Sequence, residues 1–163
     1  MKLSKTIRIL VWTSFVFYCL ILIKLLFLDM RIQYSYSVLW NHINLVPFKT
    51  FYDYIVKITT GRINTDVAVR NLVGNLVVFF PMGCYLPCLF RKLGKAKRFC
   101  LMMTGMLVGV ELLQLLHCIG SFDIDDILFN FGGAMAGFGI VHIPAVHRLL
   151  KKLQISGSGE KNS

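Results

Sequence analysis

Four apolar blocks, over about residues 7–28, 72–90, 99–117 and 127–146, constrain this chain more than any other feature. Each holds roughly 19–22 residues, and a helix of that length rises about 30 Å, the hydrocarbon thickness of a bilayer. Within hydrocarbon every backbone N–H and C=O must find a partner inside the protein, which favours helices for apolar runs this long. The expected fold class is therefore all-α: a polytopic integral membrane protein, a bundle of about four transmembrane helices with a short interfacial segment between the first two. Composition agrees. Of 163 residues 56% are hydrophobic and 16% charged, where a soluble domain carries about 25% charged residues.

The net charge of +10 would point to nucleic acid on a soluble protein. Here the bases flank apolar blocks, so they orient the chain and meet anionic lipid, and nucleic acid is excluded as a partner. Lys2, Lys5 and Arg8 precede the first block, and five bases (Arg91, Lys92, Lys95, Lys97 and Arg98) fill the link after the second. Arg148, Lys151 and Lys152 follow the fourth, whereas the link 118–125 has no Lys or Arg. Threading four helices puts the three base-rich segments on one side, which the positive-inside rule makes cytoplasmic. The expected topology is multi-pass, with both termini cytoplasmic. One transmembrane domain over 1–150 is expected, then a polar, disordered tail over 151–163. The first block is too long for a signal-peptide core and lacks a small-residue cleavage site, so it reads as a retained helix.

The connection 29–70 mixes polar residues with Trp40, Phe48, Phe51, Tyr52 and Tyr54, aromatics that favour the headgroup layer. A short interfacial helix is expected over Phe51 to Lys57, and Asn64, Thr65 or Asp66 is expected to cap the next helix. Gly105 with Gly109 and Gly133 with Gly137 give small faces on the third and fourth helices, read as sites of close packing that also allow a homo-oligomer. Cys19, Cys84, Cys88, Cys100 and Cys118 are read as small apolar fillers.

With this threading the awkward polar residues share one depth. Asn71 and Asn75 are four apart in the outer turns of the second helix. Glu111 and Gln114 are three apart in the outer third of the third helix. Asp123, Asp125, Asp126 and Asn130 begin the fourth. A carboxylate near mid-membrane costs at least about 2.5–3.5 kcal/mol. Glu111 is therefore expected to turn inward and bond to Asn75, Asn130 or Arg70, or to carry a proton. Plain structural readings stand beside this: helix ties for Asn71 and Asn75, a helix cap for Asp123, an interfacial place for His117. Asp123, Asp125 and Asp126 offer the oxygen ligands that Mg²⁺ or Ca²⁺ prefers. No second acidic motif accompanies them, so no metal and no cofactor is expected. Ser121 has no partner at a spacing that marks nucleophilic catalysis.

At these residues the sequence resembles the VanZ family of bacterial membrane proteins. Asn44, Pro47 and Phe48 fit its N-x-x-P-F segment. Asn75, Phe79, Pro81 and Gly83 fit an N-x-x-x-F-x-P-x-G helix, with Arg70 and Asn71 just upstream. Glu111 and Gln114 fit an E-x-x-Q pair. Asp123, Asp126, Asn130, Gly132 and Gly133 fit D-x-x-D-x-x-x-N-x-x-G-G. Ser121 departs from it, standing where many relatives have an Arg. The resemblance implies a role at the cell envelope, since the founding type lowers susceptibility to teicoplanin, a glycopeptide with a fatty-acyl tail.

Three functions compete. The first is a non-enzymatic protein that binds or shields an outer-leaflet lipid-linked cell-wall intermediate or the acyl-glycopeptide. Asn75, Glu111, Gln114, Asp123, Asp126 and Asn130, with Arg70 and Asn71, would form its site among membrane lipids. The second is an enzyme on a lipid-linked precursor with Glu111 as general acid or base. The third is a small lipid transporter, which with four helices would need an oligomer.

Overall fold

In the computed structural model residues 2–28 and 34–152 are described. Helix α1 (Lys2–Ile23) runs on through a π-helical turn, Lys24–Leu28. A 3₁₀ turn (Tyr36–His42) leads to β1 (Ile43–Asn44) and α2 (Lys49–Thr59). Then come α3 (Thr65–Leu89), a 3₁₀ turn (Arg91–Gly94), α4 (Ala96–Leu116), β2 (Phe122–Asp123), α5 (Ile124–His142) and α6 (Pro144–Lys152). Among the described residues four helical stretches are long and apolar enough to cross a membrane: Thr6–Leu28, Ala68–Leu89, Ala96–Leu116 and Ile124–His142. The protein is an all-α polytopic membrane bundle.

Two of the boundaries differ from the hydropathy blocks for local reasons. Helix α3 starts at Thr65, before its apolar run. Asn64 occupies the N-cap position but makes no side-chain cap bond, and Asp66 sits in the first turn, where its charge suits the helix dipole. The last block divides, because Ile143 is extended (φ −58, ψ 129) ahead of Pro144. A residue before proline is pushed out of the helical region, and Pro144 then opens α6, where its missing N–H costs nothing. Lys151 and Lys152 belong to α6; the rest of the expected tail, 153–163, lies outside the described residues.

The core is built on α3 against α5. A Cβ on Gly133 would overlap the carbonyl oxygen of Leu76, one on Gly137 that of Phe80, and one on Gly83 that of Ala134. Backbone therefore lies on backbone, as small residues allow in membrane helices. Helix α4 packs through a stripe of Phe99, Met103, Leu107, Glu111 and Gln114, spaced to keep one face. This corrects the reading of Gly105 and Gly109, which have open space where a Cβ would stand. Gly105 is two residues past Met103, roughly 200° around the helix and so turned from the core.

Helix α1 is peripheral, with 6% of its spanning window buried against 33–44% for the others. It is held at one end by an aromatic group in which Trp12 and Phe15 meet Phe90 and Tyr85, and by the Tyr18 hydroxyl donating to the Val78 carbonyl at 2.7 Å.

Candidate functional site

At the end of the bundle remote from the Arg91–Gly94 link, short elements hold the polar residues together. Helix α4 closes on Cys118, whose left-handed backbone (φ 56) lets the Ile119 N–H reach the Gln114 carbonyl and its own N–H reach that of Leu115. That pair of bonds is the Schellman closure. The chain then returns as β2, parallel to β1, with Ile43 opposite Phe122 and Asn44 opposite Asp123. Two residues of ladder thus tie the long first connection to the start of α5.

Two carboxylates complete the tie. Asp123 caps α5, accepting from the Asp125 N–H at 2.9 Å. The same side chain accepts from Asn44 Nδ2 at 3.0 Å and from the Thr50 hydroxyl at 2.5 Å. Asp125, 1% exposed, takes the N–H of Phe48 at 2.5 Å and of Phe51 at 3.2 Å. Those are orphan donors of the first turn of α2, so a residue of α5 caps α2 across space. Phe48, at the N-cap, has positive φ (62). Both oxygens of Asp125 are thus engaged by backbone N–H groups.

Helix α2 thereby roofs a pocket of about 330 Å³. Thr50 and Tyr54 line it from α2, Asn71 and Asn75 from α3, and Gln114 from α4. Gly120, Ser121, Asp123 and Asp126 complete the wall. Asn75 Nδ2 donates to Asp126 Oδ1 at 2.5 Å, and Asn71 Nδ2 donates to the Tyr54 hydroxyl at 2.9 Å. Burial raises the Tyr54 phenol's pKa, and nearby Asp126 and Asp123 add to this against the opposing Asn71 bond. The phenol therefore stays neutral and keeps its proton as a donor.

Several expected residues sit otherwise. Glu111 is buried behind the pocket wall, where its Oε2 accepts from the Asp123 N–H at 3.2 Å, instead of pairing with Asn75, Asn130 or Arg70. Gln114 lines the pocket, but its Nε2 serves the Leu26 carbonyl at 2.8 Å. Arg70 is exposed and off the pocket wall. Asn130 is buried one turn below Asp126, and its Oδ1 has no partner among the described residues. Of the motif residues, Phe79 is fully buried, and Gly132 lies 3.7 Å, measured from its would-be Cβ, from a Leu76 methyl. Among the described residues no group of three or more His, Cys, Asp or Glu is arranged to hold a metal. Asp123, Asp125 and Asp126 each face different partners.

Thr50 and Tyr54 were missed as site residues. Their four-residue spacing on a short helix was the available sign, since it puts both hydroxyls on one face.

The VanZ/LLP1 family profile matches residues 15–146. Among curated proteins the chain is 27% identical over 127 residues to Protein VanZ of Enterococcus faecium, covering 76% of this chain and 69% of that one. No solved structure matches it.

Proposed function

We propose, for a chain that belongs to the VanZ/LLP1 family, that it is an envelope protein whose pocket binds the polar group of a lipid-linked ligand at the outer face of the plasma membrane. The ligand is a lipid-linked cell-wall intermediate or an acyl-glycopeptide, and its capture lowers susceptibility to lipoglycopeptides such as teicoplanin. The observation that carries this reading is the pocket itself. It is walled by side chains from α2, α3, α4 and the start of α5, and Asn75 on its wall is seven residues inside the Ala68–Leu89 span. That is about 10 Å of helix, so a bound group there keeps its acyl chain within hydrocarbon. The outward orientation is supported by the base-rich Arg91–Gly94 turn and by Arg148 in α6, both at the far end of the bundle. Cytoplasmic loops favour such bases.

Binding is preferred to catalysis because Glu111, the expected general acid or base, stands behind Asp123 and off the pocket wall. The test is expression of the wild type and of Asp126→Asn at matched membrane levels. The wild type raises the inhibitory concentration of teicoplanin more than that of vancomycin, which lacks the tail, and the variant loses the difference. Equal shifts for both drugs, or none, would overturn the reading.

A further inference from the structure

We infer that the group this pocket takes is a primary ammonium carried on an amphiphile. The inference rests on the pocket being a binding site, as proposed above, and names the chemistry of its ligand.

The first ground is the sign of the walls. The ionisable acids on the wall are Asp123 and Asp126, and among the described residues no Lys, Arg or His lines it. Glu111 is buried directly behind, on the Asp123 N–H. The bonds these three acids accept come from amides and a hydroxyl. On this wall a phosphate or carboxylate would face two carboxylates, while a cation would find them as partners.

The second ground is what the walls leave unused. Asp123 already accepts three bonds on its two oxygens. Among the described residues Asp126 accepts one, at Oδ1 from Asn75, which leaves Oδ2 and its lone pairs for a ligand. An ammonium offers three N–H donors and no acceptor, so it matches Asp126 and not a donor-lined site. The walls also hold a donor with a proton to give. The Tyr54 oxygen accepts from Asn71, and its own O–H has no acceptor among the described residues. A ligand oxygen beside the ammonium, as in an amino alcohol or an aminoacyl ester, would take it.

The third ground is depth. Asp126 lies in the first turn of a membrane-crossing helix, and Asn75 two turns into another. A free amine gains little by descending there, whereas an amine on an alkyl chain arrives with the chain already in lipid.

The test uses the full-length protein in phosphatidylcholine nanodiscs, whose quaternary headgroup has no N–H. Binding is measured for dodecylammonium, dodecyltrimethylammonium, dodecyl phosphate and free ethanolamine. Dodecylammonium should bind saturably, and the trimethyl compound and free ethanolamine each about tenfold more weakly, since one lacks the donors and the other the chain. Dodecyl phosphate should show no saturable binding. Asp126→Asn should weaken dodecylammonium by about tenfold. Tyr54→Phe, which keeps the ring and the packing of α2, should weaken sphingosine, which carries a neighbouring hydroxyl, more than it weakens dodecylammonium; equal losses for the two would overturn the Tyr54 contact. Phosphate binding as tight as ammonium, no saturable ammonium binding, or an Asp126→Asn variant that elutes as folded protein and binds like wild type would each overturn the ammonium assignment. Ethanolamine binding as tightly as dodecylammonium would overturn the amphiphile. If ammonium binding fails while Asp126→Asn still abolishes teicoplanin tolerance, the site stands and only its ligand class falls. If both fail, both readings fall.

Discussion

The same two helices, α3 and α5, meet in opposite ways at their two ends. From Leu76 to Gly83 on α3 their backbones touch, with Gly133 and Gly137 fitted under the Leu76 and Phe80 carbonyls. One residue earlier, at Asn75, contact passes to side chains: an amide meets the Asp126 carboxylate, and α2 closes over the gap. The difference shows what each sequence feature does. Glycine sets how near the helices come, and that approach holds the polar ends at a fixed distance. The carboxylates then decide what fills the remaining space. A close-packed seam thus fixes the spacing of a polar-lined pocket.

That contrast can be broken at either end. The largest effect is expected at the seam. Gly133→Val drives a side chain into helix backbone that cannot yield, and should cost about 3 kcal/mol or more, read as loss of folded protein on thermal challenge in detergent. Asp125→Ala comes next. It orphans the Phe48 and Phe51 N–H groups at about 2–4 kcal/mol, and hydrogen exchange should quicken over α2 while the seam stays protected. Asn75→Ala removes the donor to Asp126 and should lower stability by about 2 kcal/mol, with drug tolerance falling at matched expression. Gly105→Ala should be the smallest, within about 0.5 kcal/mol, since its would-be Cβ meets open space. Thermal midpoints similar for Gly133→Val and Gly105→Ala would show that no close seam exists.

The four spans were legible because crossing hydrocarbon needs about 20 apolar residues in a row, a local and strong signal. The common depth of Asn75, Asp123 and Asp126 followed from threading those spans. What joins them did not. The β1–β2 pairing is two residues long, and the capping of α2 by Asp125 links residues 74 and 77 positions apart. Neither leaves a period in the sequence. Depth likewise says nothing of rotation, which is why Glu111 was matched to side chains and instead meets the Asp123 backbone. Gly105 and Gly133 carry the same spacing motif, and the buried stripe from Phe99 to Gln114 decides which of the two faces is used.

Everything rests on Asn75 and Asp126 facing each other across a pocket at one end of the bundle. In a chain with its five cysteines replaced, Asn75→Cys with Asp126→Cys should form a disulfide under mild oxidation in native membranes, detected as a shifted band after cleavage in the 91–98 link. Failure to cross-link, in a sample where both cysteines still react singly with a maleimide, would contradict the account.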